Sequence, residues 1–445
     1  MLTLKQISQI LHCDLLIAGD VKAIKIDSRQ IQPGDIFVAI RGTRFDGHDF
    51  MNEAINNGAI AIICEKTFAN ITQPQLQVVS TLGALTILAT YYRQTLNSKV
   101  IALTGSNGKT TVKEMIAKIL PQPAYASYGN FNNHIGVPLN MMQMTTEQKY
   151  AVFELGANHA GEIAHTAAIV QPHVALINNI GPAHIAGFGS ISGVAAAKGE
   201  IYQELLPNGT AIINDDDEYA NFWNDSLKNK KVLRFSAKKQ HTDIYAKNIM
   251  FNDDGCATFE LQTPIAHCQI NLHVPGEHTI NNALAAAACC SALDININNI
   301  QSGLMQFYGV KRRMMFLVGK NDTNVIDDTY NANLYSVLAA ITVLSKRIGI
   351  KILVLGDLGE LGVYTKEHHE QIGNVAKNQG INVVMTCGMY SQFTSAAFGN
   401  NGKHYDTQEA LAEDLFNYLN KNVTVLIKGS RFAAMENIVQ KIIKD

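Results

Sequence analysis

The chain has 445 residues, 47% of them apolar, and a net charge of −2. That length accommodates about three domains with substantial cores, and the near-neutral charge, with no dense basic stretch, argues against nucleic acid as a partner. The seven cysteines show no C-x-x-C spacing and their odd number argues against a closed disulfide framework. The N-terminus lacks a secretory signal pattern and the Ala-rich run 283–293 is too short to span a membrane, so the expected compartment is the cytoplasm and no membrane span is expected.

Residues 1–82 alternate short apolar runs (24–26, 36–40, 59–64 and 76–79) with turn signals such as Pro33-Gly34-Asp35 and Asn56-Asn57-Gly58, the pattern of a small α/β domain. Polar residues gather at its strand ends: Asp27-Ser28-Arg29, then the stretch 41–50 with Arg41, Arg44, Asp46 and His48. Arg forks and hydroxyl donors suit an anionic, hydroxyl-rich ligand. Composition alone leaves the stretch equally a solvated loop. A helix over 82–96 leads into the next domain.

Residues 100–103 then read as a buried parallel strand, and from Val112 the spacing of Val112, Met115, Ile116, Ile119 and Leu120 turns helical. The change of period falls on Gly105-Ser106-Asn107-Gly108-Lys109-Thr110-Thr111. Its two glycines let backbone N–H groups turn toward phosphate oxygens, the helix start adds its positive dipole end, Lys109 can reach the outer phosphates and the Thr110 hydroxyl can ligate Mg²⁺. Leu103 occupies the position of a usual first P-loop glycine, so the loop is the shorter G-x-x-G-K-T-T form; the bland alternative is an ordinary Gly turn into a helix.

Downstream, 129–138 is rich enough in Asn and Gly to read as a loop, and a strand over 150–153 ends in Glu154-Leu155-Gly156-Ala157-Asn158-His159. Another strand, 173–178, ends in Asn179-Ile180-Gly181-Pro182-Ala183-His184. Ligands of parallel α/β sheets gather at the carboxyl ends of strands, so these loops are expected to face the P-loop across one crevice. Glu154 is the first candidate for a metal ligand opposite Thr110. His184 suits a second metal contact or substrate orientation, although a lone His is more often structural. Lys198 reads by itself as a surface lysine on a helix, and 215–218 as a solvated helix start. The stretch 232–274 alternates as an antiparallel addition to the sheet, and an Ala-rich helix follows Gly276 to Asn282.

After 308–313 the pattern restarts. Strands over 324–326, 351–355, 382–386 and 423–427 end in polar loops: Asp328 to Asn333, Gly356 to Gly362, Cys387-Gly388, and Lys428-Gly429-Ser430-Arg431. Strands alternating with helices predict a second doubly wound domain.

Together these residues resemble the Mur ligase family of ATP-dependent amide-forming enzymes, over essentially the whole chain. General features are T-G-S-N-G-K-T-T at 104–111, Glu154, His184, the pattern Gly276, His278, Asn282, Ala283, and Arg313. E-L-G-A-N-H at 154–159, N-N-I-G-x-A-H-x-x-G-F-G at 178–189, Y-N-A-N at 330–333, G-D-x-x-E-L-G at 356–362 and K-G-S-R at 428–431 are similar to the branch that takes a dipeptide as its amine.

The resemblance implies three α/β domains. A UDP-sugar-binding domain would span 1–82, a central P-loop domain with a parallel sheet 83–310, and a C-terminal Rossmann-like domain 311–445. ATP and Mg²⁺ would be the cofactors, with UDP-N-acetylmuramoyl-tripeptide and D-alanyl-D-alanine as substrates of a monomer. Gly105, Ser106, Asn107, Gly108, Lys109, Thr110, Thr111, Asn282, Arg313, Asp328 and Asn331 would meet the nucleotide. Thr110, Glu154, His184 and a carbamylated Lys198 would hold the metal, and Lys109, Glu154, His184 and Arg313 would be catalytic. Ser28, Arg29, Arg44, Asp46 and His48 would hold the UDP-sugar, Asn132, Asn133 and Asn158 the arm beyond it, and Lys428, Ser430 and Arg431 the dipeptide. Lys311-Arg312 stands where the family usually has Pro-Gly, and Leu334 where proline often follows the Asn, both at the interdomain hinge. Sibling ligases adding one amino acid, folylpolyglutamate synthetases, and a nucleotide-binding scaffold with a silent site are the alternatives.

Overall fold

The computed structural model describes residues 2–13, 19–182, 185–359 and 361–444, which form three sheets in chain order. The first is a parallel four-stranded sheet of β1 (Ile24–Lys25), β2 (Ile36–Val38), β3 (Ala61–Cys64) and β4 (Gln75–Gln77), in that order. The helix Thr81–Gln94, N-capped by the Ser80 hydroxyl, follows it. Ile36 and Val38 on one face of this sheet share a continuous core with Leu85, Leu88 and Tyr92 of the helix and with one face of the next sheet.

The second sheet has nine strands: β5 (Lys99–Thr104), β6 (Ala124–Ala126), β7 (Tyr150–Glu154), β8 (Val174–Ile177), β9 (Thr210–Asn214), β10 (Lys231–Ser236), β11 (Ile244–Phe251), β12 (Cys256–Gln262) and β13 (His267–Pro275). Their spatial order is β13-β12-β11-β10-β9-β8-β5-β7-β6. β5 is buried on both faces: Val100 and Ala102 enter one core, Ile101 and Leu103 the other, which is why its sequence is an unbroken apolar run. The order of connection reverses beside β5, so the carboxyl ends of β7, β5 and β8 open on one crevice.

Three expectations need correcting here. β10 pairs parallel with both β9 and β11, so only β11 to β13 form the antiparallel addition. The end of the 129–138 loop is already helical, because Asn133 Oδ1 accepts the Ile135 and Gly136 N–H groups and starts the helix Gly136–Met141. The acids at 215–218 begin no helix; Asp215 pairs with Arg234 at 2.6 Å and Lys239 at 2.9 Å, and Asp217 accepts the Ile180 and Tyr219 N–H groups.

The third sheet runs β14-β15-β19-β16-β17-β18 from β14 (Met315–Val318), β15 (Asn324–Asp328), β16 (Ile350–Gly356), β17 (Val383–Cys387), β18 (Gly402–Tyr405) and β19 (Val423–Lys428). It is parallel except for the β14 edge. Apolar cores cover both its faces, as a doubly wound unit requires. Among the described residues no helix is long and apolar enough to cross a membrane.

Candidate active site

A cleft of about 900 Å³ lies between the carboxyl ends of the central and C-terminal strands. The P-loop forms its floor. Gly108 has φ +77, a left-handed conformation, and a Cβ there would lie 2.6 Å from Asn282 Oδ1 and 2.7 Å from Asn178 Nδ2. Only glycine fits such a cradle. The helix Lys109–Ile119 starts without a side-chain cap, so its first-turn N–H groups stay available to an anion. Asparagines brace the loop from behind: Asn179 Oδ1 accepts the Asn107 N–H at 2.8 Å, and Asn178 Nδ2 donates to Asn107 O at 2.9 Å and Asn282 Oδ1 at 3.0 Å.

A chain of hydrogen bonds crosses the cleft. Arg313 Nη2 donates to Thr110 Oγ1 at 2.9 Å, Thr110 donates to Glu154 Oε2 at 2.7 Å, and Asn132 Nδ2 donates to Glu154 Oε1 at 2.9 Å. The Arg313 guanidinium lies 4.0 Å from the centre of the Tyr330 ring, a cation–π contact that sets its direction. Asn333 Nδ2 reaches Asn107 Oδ1 at 2.8 Å, a second bridge between the two sheets. Lys109 Nζ folds back to Gly105 O at 2.8 Å. Burial lowers the Lys109 ammonium below its usual range; Glu154 opposes that shift and Arg313 adds to it.

The fit to a divalent cation rests on Thr110 Oγ1 and Glu154 Oε2, hard oxygens from facing elements only 2.7 Å apart. Among the described residues no cluster of three or more His, Cys, Asp and Glu stands together, so the protein supplies few ligands and phosphate oxygens would complete the set. His184 lies outside the described residues. Lys198 departs from the surface-lysine expectation: it is 1% exposed, because the small residues of the helix Ile191–Gln203 let that helix pack closely on β5 and β8. Burial, with repulsion from Lys109, brings its amine down to about 7.

The structure brings Ser106, Asn107, Gly108, Lys109, Thr110, Thr111, Asn132, Asn133, Glu154, Asn158, Asn282, Arg313, Asp328, Asn331, Lys428, Ser430 and Arg431 to the wall of this one cleft. Gly105 lies just behind it, with φ +151 and packed on Asn178. The three residues expected to hold the dipeptide differ in freedom. Lys428 Nζ is buried on Asp328 Oδ2 at 2.5 Å and on Asn331 O at 3.0 Å, and Ser430 Oγ donates to Asp357 O at 2.5 Å. The Arg431 side chain is 56% exposed.

Ser28, Arg29, Arg44, Asp46 and His48 do not line the cleft; they lie in the turn after β1 and the loop after β2. Asp46 caps the short turn Gly47–Phe50 and accepts the His48 N–H at 3.0 Å, His48 Nδ1 at 2.6 Å and Arg41 Nε at 3.0 Å. Those bonds, the His48 backbone first, hold the Asp46 carboxyl down at about 2. His48 Nε2 accepts the Glu65 N–H at 2.9 Å, so both imidazole nitrogens are used inside the protein. Ser28 Oγ donates to Glu53 at 2.6 Å and Arg29 forks onto Asp27. Arg44 and Phe45 stay exposed at the tip. Tyr330 lies in the 328–331 loop expected at the nucleotide, whereas Asn178, Asn179 and Asn333 carry no expected role of their own; an amide at a strand end beside the P-loop strand, or in the loop after β15, is the only signal they give.

Family profiles match three consecutive stretches: "Mur ligase family, catalytic domain" at 20–93, "Mur ligase middle domain" at 103–290 and "Mur ligase, glutamate ligase domain" at 312–431. Over 446 residues the chain is 42% identical to the UDP-N-acetylmuramoyl-tripeptide--D-alanyl-D-alanine ligase of Escherichia coli strain K12, covering 99% of this chain and 98% of that one. It is similar to the crystal structure of MurF from Acinetobacter baumannii, with a TM-score of 0.91, 37% identity and 98% coverage of each chain. It is also similar to MurF ligase from Thermotoga maritima in complex with ADP, with a TM-score of 0.82 and 27% identity over 95% of this chain and 97% of that one. Profiles, relatives and geometry agree, and the chain belongs to the Mur ligase family of ATP-dependent ligases.

Proposed function

We propose that the chain joins D-alanyl-D-alanine to UDP-N-acetylmuramoyl-tripeptide in a reaction driven by ATP and Mg²⁺, in the cytoplasm and as a monomer. The observation that supports this reading most strongly is the hydrogen-bond chain from Arg313 through Thr110 and Glu154 to Asn132, which converges on the start of the P-loop helix from two sides. Residues 1–82 hold the UDP-sugar, with Ser28, Arg29 and Arg44 at its anionic groups and Asp46 and His48 shaping the loop; 83–310 hold ATP, and 311–445 bring the dipeptide.

The chemistry follows from where charge develops. The tripeptide carboxylate attacks the γ-phosphorus of ATP, the bond to ADP breaks, and an acyl phosphate forms. The free amine of the dipeptide then attacks the acyl carbon, phosphate leaves and the nitrogen loses a proton. Phosphoryl transfer needs positioning and charge neutralisation more than covalent help. Backbone N–H groups of the P-loop, with Lys109 from one side and Arg313 from the other, supply it, while Asn282, Asp328 and Asn331 flank the nucleotide. Thr110 and Glu154, with His184 and Lys198 as its carbamate, would hold Mg²⁺, which when bound would supply charge neutralisation at the phosphates. Asn132, Asn133 and Asn158 steer the peptide arm. Lys428 and Ser430 fix the loop from which Arg431 meets the carboxylate of the dipeptide.

The test is product identification. Purified protein with ATP, Mg²⁺ and both substrates is expected to give the UDP-muramoyl-pentapeptide, with ADP and phosphate in equal amounts, by mass spectrometry and phosphate assay. ATP hydrolysis without a new amide would refute the reading.

A further inference from the structure

Behind the wall of the cleft one carboxylate holds two arginines. Glu436 begins the helix Glu436–Ile442 and is 7% exposed. Its Oε1 accepts Arg431 Nη1 at 2.6 Å and Arg312 Nη1 at 3.0 Å. Its Oε2 is buried and has no partner. Neither Arg312 nor Glu436 lines the cleft, whereas Arg431 does.

The two arginines belong to different machinery. Arg312 sits in the turn that carries Arg313 to Thr110, and that turn is tightly held: Arg313 N–H bonds Val310 O, Tyr330 N–H bonds Arg312 O, and Met314 N–H bonds Asp328 Oδ1. Arg312 has φ +63 and Met314 φ +51, left-handed conformations that side chains rarely adopt. A strained turn persists when its surroundings fix it, and the Arg312 side chain is one of the ties. Arg431 follows β19 with its side chain 56% exposed. One Arg edge spent on Glu436 leaves other N–H donors free, and one negative charge between two positive ones leaves the group net cationic.

We propose that Glu436 is a positioning residue for the amine substrate. It holds Arg431 by one edge so that the other edge receives the substrate carboxylate, and through the same oxygen it couples that receptor to the turn bearing Arg313. The inference rests on the reading in which Arg431 meets the carboxylate of the dipeptide. Removing the charge leaves two guanidiniums repelling each other across a neutral amide, and Arg431 leaves its pose.

The experiment is steady-state kinetics on the full chain with ATP, UDP-N-acetylmuramoyl-tripeptide and D-alanyl-D-alanine. Glu436→Gln is expected to raise the KM for the dipeptide about tenfold, with the KM values for ATP and the UDP-substrate within about twofold of wild type. Glu436→Asp, which keeps the charge, is expected to restore part of the loss. Combined with Arg431→Ala, Glu436→Gln should add nothing to the dipeptide KM. An unchanged dipeptide KM in Glu436→Gln, or an equal rise for all three substrates, overturns the inference. If Glu436→Gln does not fold, Glu436→Asp is read in its place, and an equal rise in KM for all three substrates, or a dipeptide KM that rises further when Arg431→Ala is added to it than in Arg431→Ala alone, overturns the inference. If Arg431→Ala itself leaves the dipeptide KM unchanged, the assignment of Arg431 fails, and this inference with it; a rise in Arg431→Ala without one in Glu436→Gln sinks the inference alone.

Discussion

The cleft and the N-terminal loop 41–50 are both polar, but their side chains find partners at very different distances along the chain. In the cleft, Thr110 bonds Glu154 44 residues away, Arg313 reaches Thr110 over 203 residues and Asn333 reaches Asn107 over 226. In the loop, Asp46 bonds His48 two residues on and Arg41 five residues back. The contacts of Arg313 and Asn333 exist only once the central and C-terminal sheets have docked, so they report the relative position of those two units. The loop arrangement is a mainly local staple, tied to the rest of its sheet by the bond from the Glu65 N–H to His48 Nε2, and it leaves Arg44 and Phe45 exposed. A nucleotide site that must exclude water is built from distant parts; a site that only captures a substrate can be built from a loop.

This contrast can be broken by substitution. Lys109→Ala is expected to lower the phosphate-release rate about a hundredfold or more, since it removes charge neutralisation at the transferring group. The melting temperature should stay near wild type, because the one hydrogen bond lost, to Gly105 O, is worth only about 1 kcal/mol. Activity within a few-fold of wild type would remove the P-loop from the account. Glu154→Gln keeps the shape and removes the charge, and should raise the Mg²⁺ concentration for half-maximal rate about tenfold or more while the KM for the UDP-substrate hardly moves. An unchanged Mg²⁺ requirement would sink Glu154 as a metal ligand.

On the loop side, Asp46→Ala removes the staple and should raise the KM for the UDP-substrate about fivefold, roughly 1 kcal/mol, leaving the KM for ATP in place. A rise for ATP as well would show that loop and cleft are not separate. The smallest effect lies outside both regions. His369 is buried, with Nε2 accepting the Leu358 N–H and Nδ1 beside Thr394 Oγ1 at 2.9 Å, and burial holds its imidazole down at about 4. Between pH 6.5 and 4 the unfolded chain therefore binds a proton that the folded chain does not, and stability falls as pH falls through that window. His369→Gln should flatten that part of the melting-temperature profile; an unaltered slope would exclude His369 as its source.

What could be read in the sequence follows the same division. The P-loop and the strands buried on both faces are local signals, and they appear where the periodicity changes. The edge strands β14 and β18 escaped: β18 is the polar Gly402–Tyr405, with no apolar run to announce it. Lys198 looked solvated because a lone lysine usually is, and only the packing of its helix on β5 and β8 buries it. Asn333 and Tyr330 were visible as residue types, but their partners Asn107 and Arg313 are set by docking, which no local pattern encodes. The Lys311-Arg312 departure from Pro-Gly has a structural counterpart: position 312 has φ +63, which glycine adopts freely and which arginine holds here with its side chain tied to Glu436.

In the proposed function the third sheet presents Arg431 to an amine substrate whose carboxylate lies one residue beyond the attacking nitrogen. Phosphate release measured with ATP, UDP-N-acetylmuramoyl-tripeptide and a panel of amines tests it most directly. The account predicts turnover with D-alanyl-D-alanine and little with D-alanine, D-glutamate, L-lysine or diaminopimelate, with Arg431→Ala raising the dipeptide KM about tenfold or more and hardly changing that for ATP. Efficient turnover with any single amino acid in place of the dipeptide would contradict it.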